Sequence, residues 1–122
     1  MTEGGRHRVT GVGGVFFRAE HPEALVDWYR EHLGVPVSPD GYVVFPQSRD
    51  THWVPFPSES DYWPRGRPLM LNFTVADLDA MLEQLRGDGV EVVERVEEQE
   101  FGRFGWCVDP EGNRIELWEP AT

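Results

Sequence analysis

The chain predicts an α+β fold: two β-α-β-β-β modules forming a curved mixed-sheet cup with the helices on its outside. The same order of elements is written twice. "GGVFFRAEHPEALVDWYREHLGVPV" reads strand, helix, glycine, strand, and so does "LMLNFTVADLDAMLEQLRGDGVEVV". His21-Pro22-Glu23-Ala24-Leu25 lies over Asp77-Leu78-Asp79-Ala80-Met81, and Gly34-Val35-Pro36-Val37 over Gly89-Val90-Glu91-Val92. Between the copies, "PSESDYWPRGRP" is dense in turn formers. At 122 residues the chain is expected to be one domain, 1–122, with module one over 9–57, a linker over 58–68 and module two over 69–120.

Each helix carries its own signals. Pro22 suits a first helical position, where its missing N–H is no loss. Leu25, Trp28, Tyr29 and Leu33 then recur at helical spacing. In the second copy Asp77 is a candidate N-cap. Leu78, Met81, Leu82 and Leu85 form an apolar stripe, and Gly87 and Gly89 stand where the helix should end. Strands are expected at Val35–Val37, Tyr42–Phe45 and Thr51–Phe56, and again at Val90–Val96, Gly102–Val108 and Arg114–Glu119. A helix on one face of each sheet leaves the other face free to curve around a ligand.

Charge and cysteine usage narrow the function. Eleven basic residues face 22 acidic ones, a net charge of −11. Nucleic acid is therefore excluded as a partner, since phosphate binding needs a basic footprint. An acidic surface draws cationic ligands, and Glu91 to Glu100, "EVVERVEEQE", is a candidate acidic rim. Cys107 is the single cysteine, so no internal disulfide and no multi-cysteine zinc framework is expected. No apolar run reaches membrane-spanning length, and "MTEGGRHRVTGVGG" lacks a secretory core, so the cytoplasm is the expected location. "GVGG", Gly11 to Gly14, lacks the lysine-serine of a phosphate loop and reads as a bulge or a point of close approach.

The stretch "DPEGNRIELWEP", Asp109 to Pro120, is a turn followed by a strand. Alternation puts Ile115 and Leu117 on one face and Arg114, Glu116 and Trp118 on the other. By itself this makes Glu116 the wet side of the strand, paired with a neighbour. The stretch also resembles the closing "DPdGn-x-iEl" hairpin of the vicinal oxygen chelate superfamily, which holds glyoxalase I, bleomycin-resistance proteins and extradiol dioxygenases. "ALVDWYREHLGV" is similar to that family's first helix, with its "FY-x-x-x-LG" pattern. The resemblance spans the chain from about Val9 to Pro120.

What the resemblance implies is a cup made by both halves, with Glu116 facing into it. In metal-dependent members four side chains reach into that cup. The matching positions here are Gly14, His52, Met70 and Glu116. Glycine offers no ligand atom and a thioether is a poor ligand for hard or borderline ions. Only His52 and Glu116 remain, with Asn72 as an oxygen ligand if the register shifts by one residue. A catalytic divalent site wants three protein ligands, so no metal is expected. Zinc, nickel, iron or manganese on His52 and Glu116 is the alternative.

The aromatic residues suit a flat ligand. Five tryptophans in 122 residues exceed what packing needs. Phe16, on the face of Gly14, and Trp118, on that of Glu116, are the leading cup aromatics, with Trp53 and Trp106 as further candidates. His21, His32 and His7 do not read as ligands, and no nucleophile constellation appears.

The leading expectation is a small-molecule-binding protein of the bleomycin-resistance type. It would hold an aromatic or cationic compound in a metal-free cup of Gly14, Phe16, His52, Trp53, Met70, Asn72, Trp106, Glu116 and Trp118. One rival is a divalent-metal-dependent lyase, isomerase, transferase or dioxygenase. The other is metal-free acid/base catalysis by Glu116. Family resemblance also implies a homodimer, with the cup closed within one chain or across subunits.

Overall fold

A computed structural model describes Arg6, Arg8 and residues 14–122. The second half contains the sheet. Its elements are β1 (Leu71–Thr74), α2 (Leu78–Gly87), β2 (Glu91–Val92), β3 (Glu97–Gln99), β4 (Gly102–Val108) and β5 (Arg114–Pro120). The sheet order is β1-β5-β4-β2, with β3 also on β4. β1 runs parallel to β5 and the other pairs are antiparallel. The architecture is thus mixed α+β, as the sequence predicts.

The helix-facing side of the sheet is the core. Leu78, Leu82 and Leu85 of α2 pack with Cys107, Ile115 and Leu117 of the sheet. Gly105 lies between them because α2 leaves no room: an added Cβ would stand 3.0 Å from a Leu82 methyl. Asp77 caps α2 as expected, accepting from the Ala80 N–H at 3.0 Å. A second anchor comes from β5, where Glu119 accepts from the Leu78 N–H at 2.7 Å.

Helix α1 (Pro22–Trp28) begins on Pro22 and runs on through a wider, π-type turn over Tyr29–Leu33 to Gly34, whose φ is 69°. Leu25 and Tyr29 of its apolar stripe are buried in the common core. The hairpin between β4 and β5 holds this helix in place. The buried Asp109 carboxylate accepts from the N–H groups of Glu111 and Asn113, from Asn113 Nδ2 and from the Tyr29 hydroxyl. Glu111 accepts from the N–H groups of Glu20 and His21 at 2.8 and 2.9 Å, the residue before the N-cap of α1 and the N-cap itself. Those backbone donors hold the Glu111 carboxyl below the usual range. Burial, then the bond to Asp109, pushes the Tyr29 phenol well above its ordinary value, so it stays a donor.

Two expectations are corrected. Val90–Val96 is not one strand. β2 stops at Val92, paired with Cys107, and β3 resumes at Glu97, paired with Phe104. Residues 93–96 therefore face only Gly105 and Trp106, a bulge that swings Arg95 over the Trp106 ring, 4.6 Å from its centroid.

The first-half strands are the second correction. Among the described residues, Val35–Val37 and Tyr42–Phe45 contribute a single bridge, Val37 to Val43, and Thr51–Phe56 joins no ladder. Gly14 to Phe17 is likewise outside any strand, and Gly11 to Gly13 and His7 lie outside the described residues. These segments add no strand to the β1-β5-β4-β2 sheet, and although Val35 is buried with Val37 and Val43 against the core, many of their other apolar side chains stay exposed. Phe16 is 95% and Trp53 78% accessible.

Removing the Tyr29 hydroxyl strands little but Asp109 loses a buried donor. Tyr29→Phe is expected to cost about 1 kcal/mol, and Asp109→Ala about 3 kcal/mol or more, because several buried donors lose one acceptor. Urea unfolding monitored by tryptophan fluorescence measures both, and equal small losses would show that the hairpin does not hold α1.

Candidate functional site

The open face of the sheet carries Asn72, Glu116 and Trp106 in one row, because each is the direct cross-strand partner of the next. The next row holds Thr74, Trp118, Phe104 and Glu97. Phe104 and Trp118 stack with planes 2° apart and centroids 6.0 Å apart. His52 meets the Trp118 ring edge-on at 5.7 Å.

Glu116 sits in the middle of this wall, only 7% exposed. A buried carboxylate is costly unless its lone pairs are filled. Here Asn72 Nδ2 donates to Oε1 at 2.8 Å, and the Tyr62 hydroxyl and Trp106 Nε1 donate to Oε2 at 2.6 and 3.1 Å. A carboxylate accepts at about four positions, so roughly one remains. Tyr62 comes from the linker, not the sheet. Its ring stacks on Phe56 at 5.6 Å and meets Trp106 edge-on at 6.0 Å. Burial, then the bond to Glu116, raises the Tyr62 phenol, so it too keeps its proton.

The linker forms a strap over this face. Its internal bonds run from Ser60 N–H to Pro57, from Arg67 N–H to Pro64, from Trp63 Nε1 to Arg67 and from Arg65 to Glu59. Arg67 ties its far end to the β4–β5 turn through the Glu111 carbonyl and Asn113. A cavity of about 170 Å³ lies elsewhere, on the helix side against Phe73, Met81 and Leu117. Beside Glu116 the volume is taken by the Tyr62 ring.

Of the residues expected in the cup, the structure brings Asn72, Trp106 and Glu116 into contact and sets His52 against Trp118. Met70 precedes β1 and is half-buried. Gly14, Phe16 and Trp53 do not join the group. A Cβ on Gly14 would meet only the Phe16 ring, and Phe16 and Trp53 are largely exposed. Without a paired first strand, nothing aims them at the sheet.

The family's usual metal does not fit the residues present. Gly14 and Met70 supply no suitable atom, and three neutral donors already fill most of Glu116. Among the described residues no group of three or more His, Cys, Asp or Glu converges on a point that could hold an ion. Cys107 is no nucleophile: it is buried in the core, and burial pushes its thiol up to about 12.

Tyr62 and Arg95 belong to the site but were not among the residues expected in the cup, Tyr62 being legible only as one of many aromatics. It lies in a segment dense in turn formers, where "DYWP" puts two aromatics. Arg95 is the single basic residue of the acidic run, and that exception was its signal. Glu97 and Glu98 of the same run pair with Arg95 and Arg103, so part of the proposed acidic rim is neutralised.

The molecule is a glyoxalase-type α+β sheet whose open face gathers a buried carboxylate and aromatic rings. The model of the glyoxalase-like domain family matches residues 14–118, and the chain belongs to that family. Among solved structures it is similar to a member of the glyoxalase/bleomycin resistance protein/dioxygenase superfamily from Sphaerobacter thermophilus DSM 20745, at 24% identity and a TM-score of 0.56, covering 92% of this chain and 98% of that one. It is also similar to TnmS3, an antibiotic binding protein from Streptomyces sp. CB03234, at 24% identity and a TM-score of 0.52 over 84% and 88% of the two chains. TioX from Micromonospora sp. ML1 shares 18% identity and a TM-score of 0.51, over 83% and 89%. The family match, with these shared folds, places the chain within the vicinal oxygen chelate superfamily. No curated protein matches the chain.

An amide has one acceptor oxygen where a carboxylate has two. Glu116→Gln must therefore turn an N–H against Asn72 or against Tyr62 and Trp106, a loss expected near 2 kcal/mol. Unchanged urea stability in this variant would show that the donors do not depend on the charge.

Proposed function

We propose that this chain binds a small aromatic or cationic compound on the open face of its sheet and sequesters it without chemical change. The observation that carries this is Glu116: a buried acceptor set among Trp106, Trp118 and Phe104, with its own donors already in place. Apolar walls with a few placed polar groups are what a small-molecule site requires. The aromatic half of the reading is the stronger, since Arg95 occupies the ring face where a cation would sit. The antibiotic-binding description of TnmS3 supports the same direction.

We propose further that the site works without a resident metal, as the donor set argues, and that the protein acts as a homodimer. Phe16, Trp53, Val54 and Tyr42 are more than half exposed, and the first-half segments join no ladder of the sheet. A second copy would cover such an apolar surface and bring Phe16, Trp53 and Gly14 toward a cup.

Planar aromatic antibiotics should quench tryptophan fluorescence at micromolar concentration and be recovered unaltered. Zinc, nickel, iron(II) or manganese should leave Tm unshifted and remain non-stoichiometric in elemental analysis. Stoichiometric metal lost in Glu116→Gln, or turnover of a bound compound, would overturn the sequestration reading. Light scattering should give twice the chain mass, and Trp53→Glu with Phe16→Glu should halve it; a monomeric wild type would remove the dimer.

A further inference from the structure

The donors of Glu116 are of two kinds. Asn72 and Trp106 are fixed by the sheet, since both stand directly opposite Glu116 in the ladder. Tyr62 is not. It comes from the strap, 54 residues away in sequence, and belongs to no strand. Among the described residues the strap's hydrogen bonds are otherwise internal or lie at Arg67, far along it. The strap is largely exposed, with Tyr62 and Trp63 half-buried, and segments outside any ladder open at lower cost than paired strands. Tyr62 is therefore the exchangeable partner of the carboxylate.

Its placement also shows what fits there. The site accepts a ring edge-on to Trp106 and a hydroxyl 2.6 Å from Oε2. The ring face an ammonium would use is taken by Arg95, which lies over Trp106 at 4.6 Å and is paired with Glu97. A neutral donor does not need that face. A methyl ether or bare hydrocarbon would leave Oε2 one donor short, and burying an acceptor without its partner is costly.

We infer that the position held by Tyr62 is a phenol subsite: a ligand bearing an aromatic hydroxyl displaces Tyr62, donates to Glu116 and lays its ring against Trp106. The inference rests on the small-molecule reading above and names its ligand class. Tyr62 then acts as an internal competitor, so the strap sets both the affinity and the chemical selectivity of the site.

The test uses three fluorinated probes read by ¹⁹F NMR titration: 4-fluorophenol, 4-fluoroanisole and 4-fluorobenzylamine. They are compared on the wild type, Tyr62→Ala and Tyr62→Phe, each first checked for a cooperative thermal transition. Tyr62→Ala should bind 4-fluorophenol at least about tenfold more tightly than 4-fluoroanisole, the worth of a charge-assisted hydrogen bond. It should also bind it several-fold more tightly than the wild type does. Tyr62→Phe keeps the ring packing and removes only the competing hydroxyl, so its affinity for 4-fluorophenol should fall between the two. Equal affinity for phenol and anisole would overturn the phenol subsite and leave an aromatic site standing. Preference for the benzylamine would overturn it in favour of a cation. If no probe binds any variant, this inference and the small-molecule reading fall together.

Discussion

The structure depends on one carboxylate in the β4–β5 turn. Asp109 is buried and accepts four hydrogen bonds, three from its own turn and one from Tyr29 of α1. The first three fix the hairpin, which sets the β4–β5 register. The fourth fixes the first half of the chain to the second. A one-residue slip in that hairpin would move Glu116 and Trp118 to the helix side and bring Ile115 and Leu117 into water. The turn therefore decides which residues form the core and which form the site. Glu111, two residues on, extends the same control to the start of α1, and its carbonyl takes Arg67 of the strap.

Register also explains why a lone glutamate is stable on an apolar wall. Two of its donors are not recruited from afar; they are its cross-strand partners on either side, one on β1 and one on β4. Burying the carboxylate needs no ion because hydrogen bonds to neutral groups meet its demand. A carboxylate that ligates a cation must present an open oxygen to it, whereas here Asn72, Trp106 and Tyr62 already occupy most of its acceptor positions.

How much was legible follows from how local each signal is. Asp77 as a cap, Pro22 as a helix start and the Gly102–Val108 and Arg114–Glu119 strands were readable because a few adjacent residues determine them. The inward face of Glu116 needed the family hairpin, since alternation alone gives two faces and not which is buried. The bulge at 93–96 was not readable: valine alternation there supports a continuous strand, and only the pairing with β4 shows the mismatch. The first-half strands failed for the opposite reason. Their β-branched and aromatic content is sound, yet among the described residues they make only the Val37–Val43 bridge, although β1 leaves one edge of the sheet unpaired; composition marks a strand but not its partner. Tyr62 was hidden because a tyrosine's long reach across 54 residues leaves no local pattern.

A site that carries its own occupant behaves differently from an empty cleft. The apparent affinity of any ligand is its intrinsic affinity reduced by the fraction of molecules in which Tyr62 has already left. A weak ring with no donor must displace Tyr62 and leave Glu116 short of one partner. A ring with a hydroxyl replaces what it removes, so its cost is limited to moving the strap. The same strap covers Glu116 when no ligand is present, and its Tyr62 hydroxyl offsets the cost of burying that carboxylate. Selectivity and stability then come from one residue: the hydroxyl that fills the acceptor in the free protein sets the chemical standard a ligand must meet to take its place.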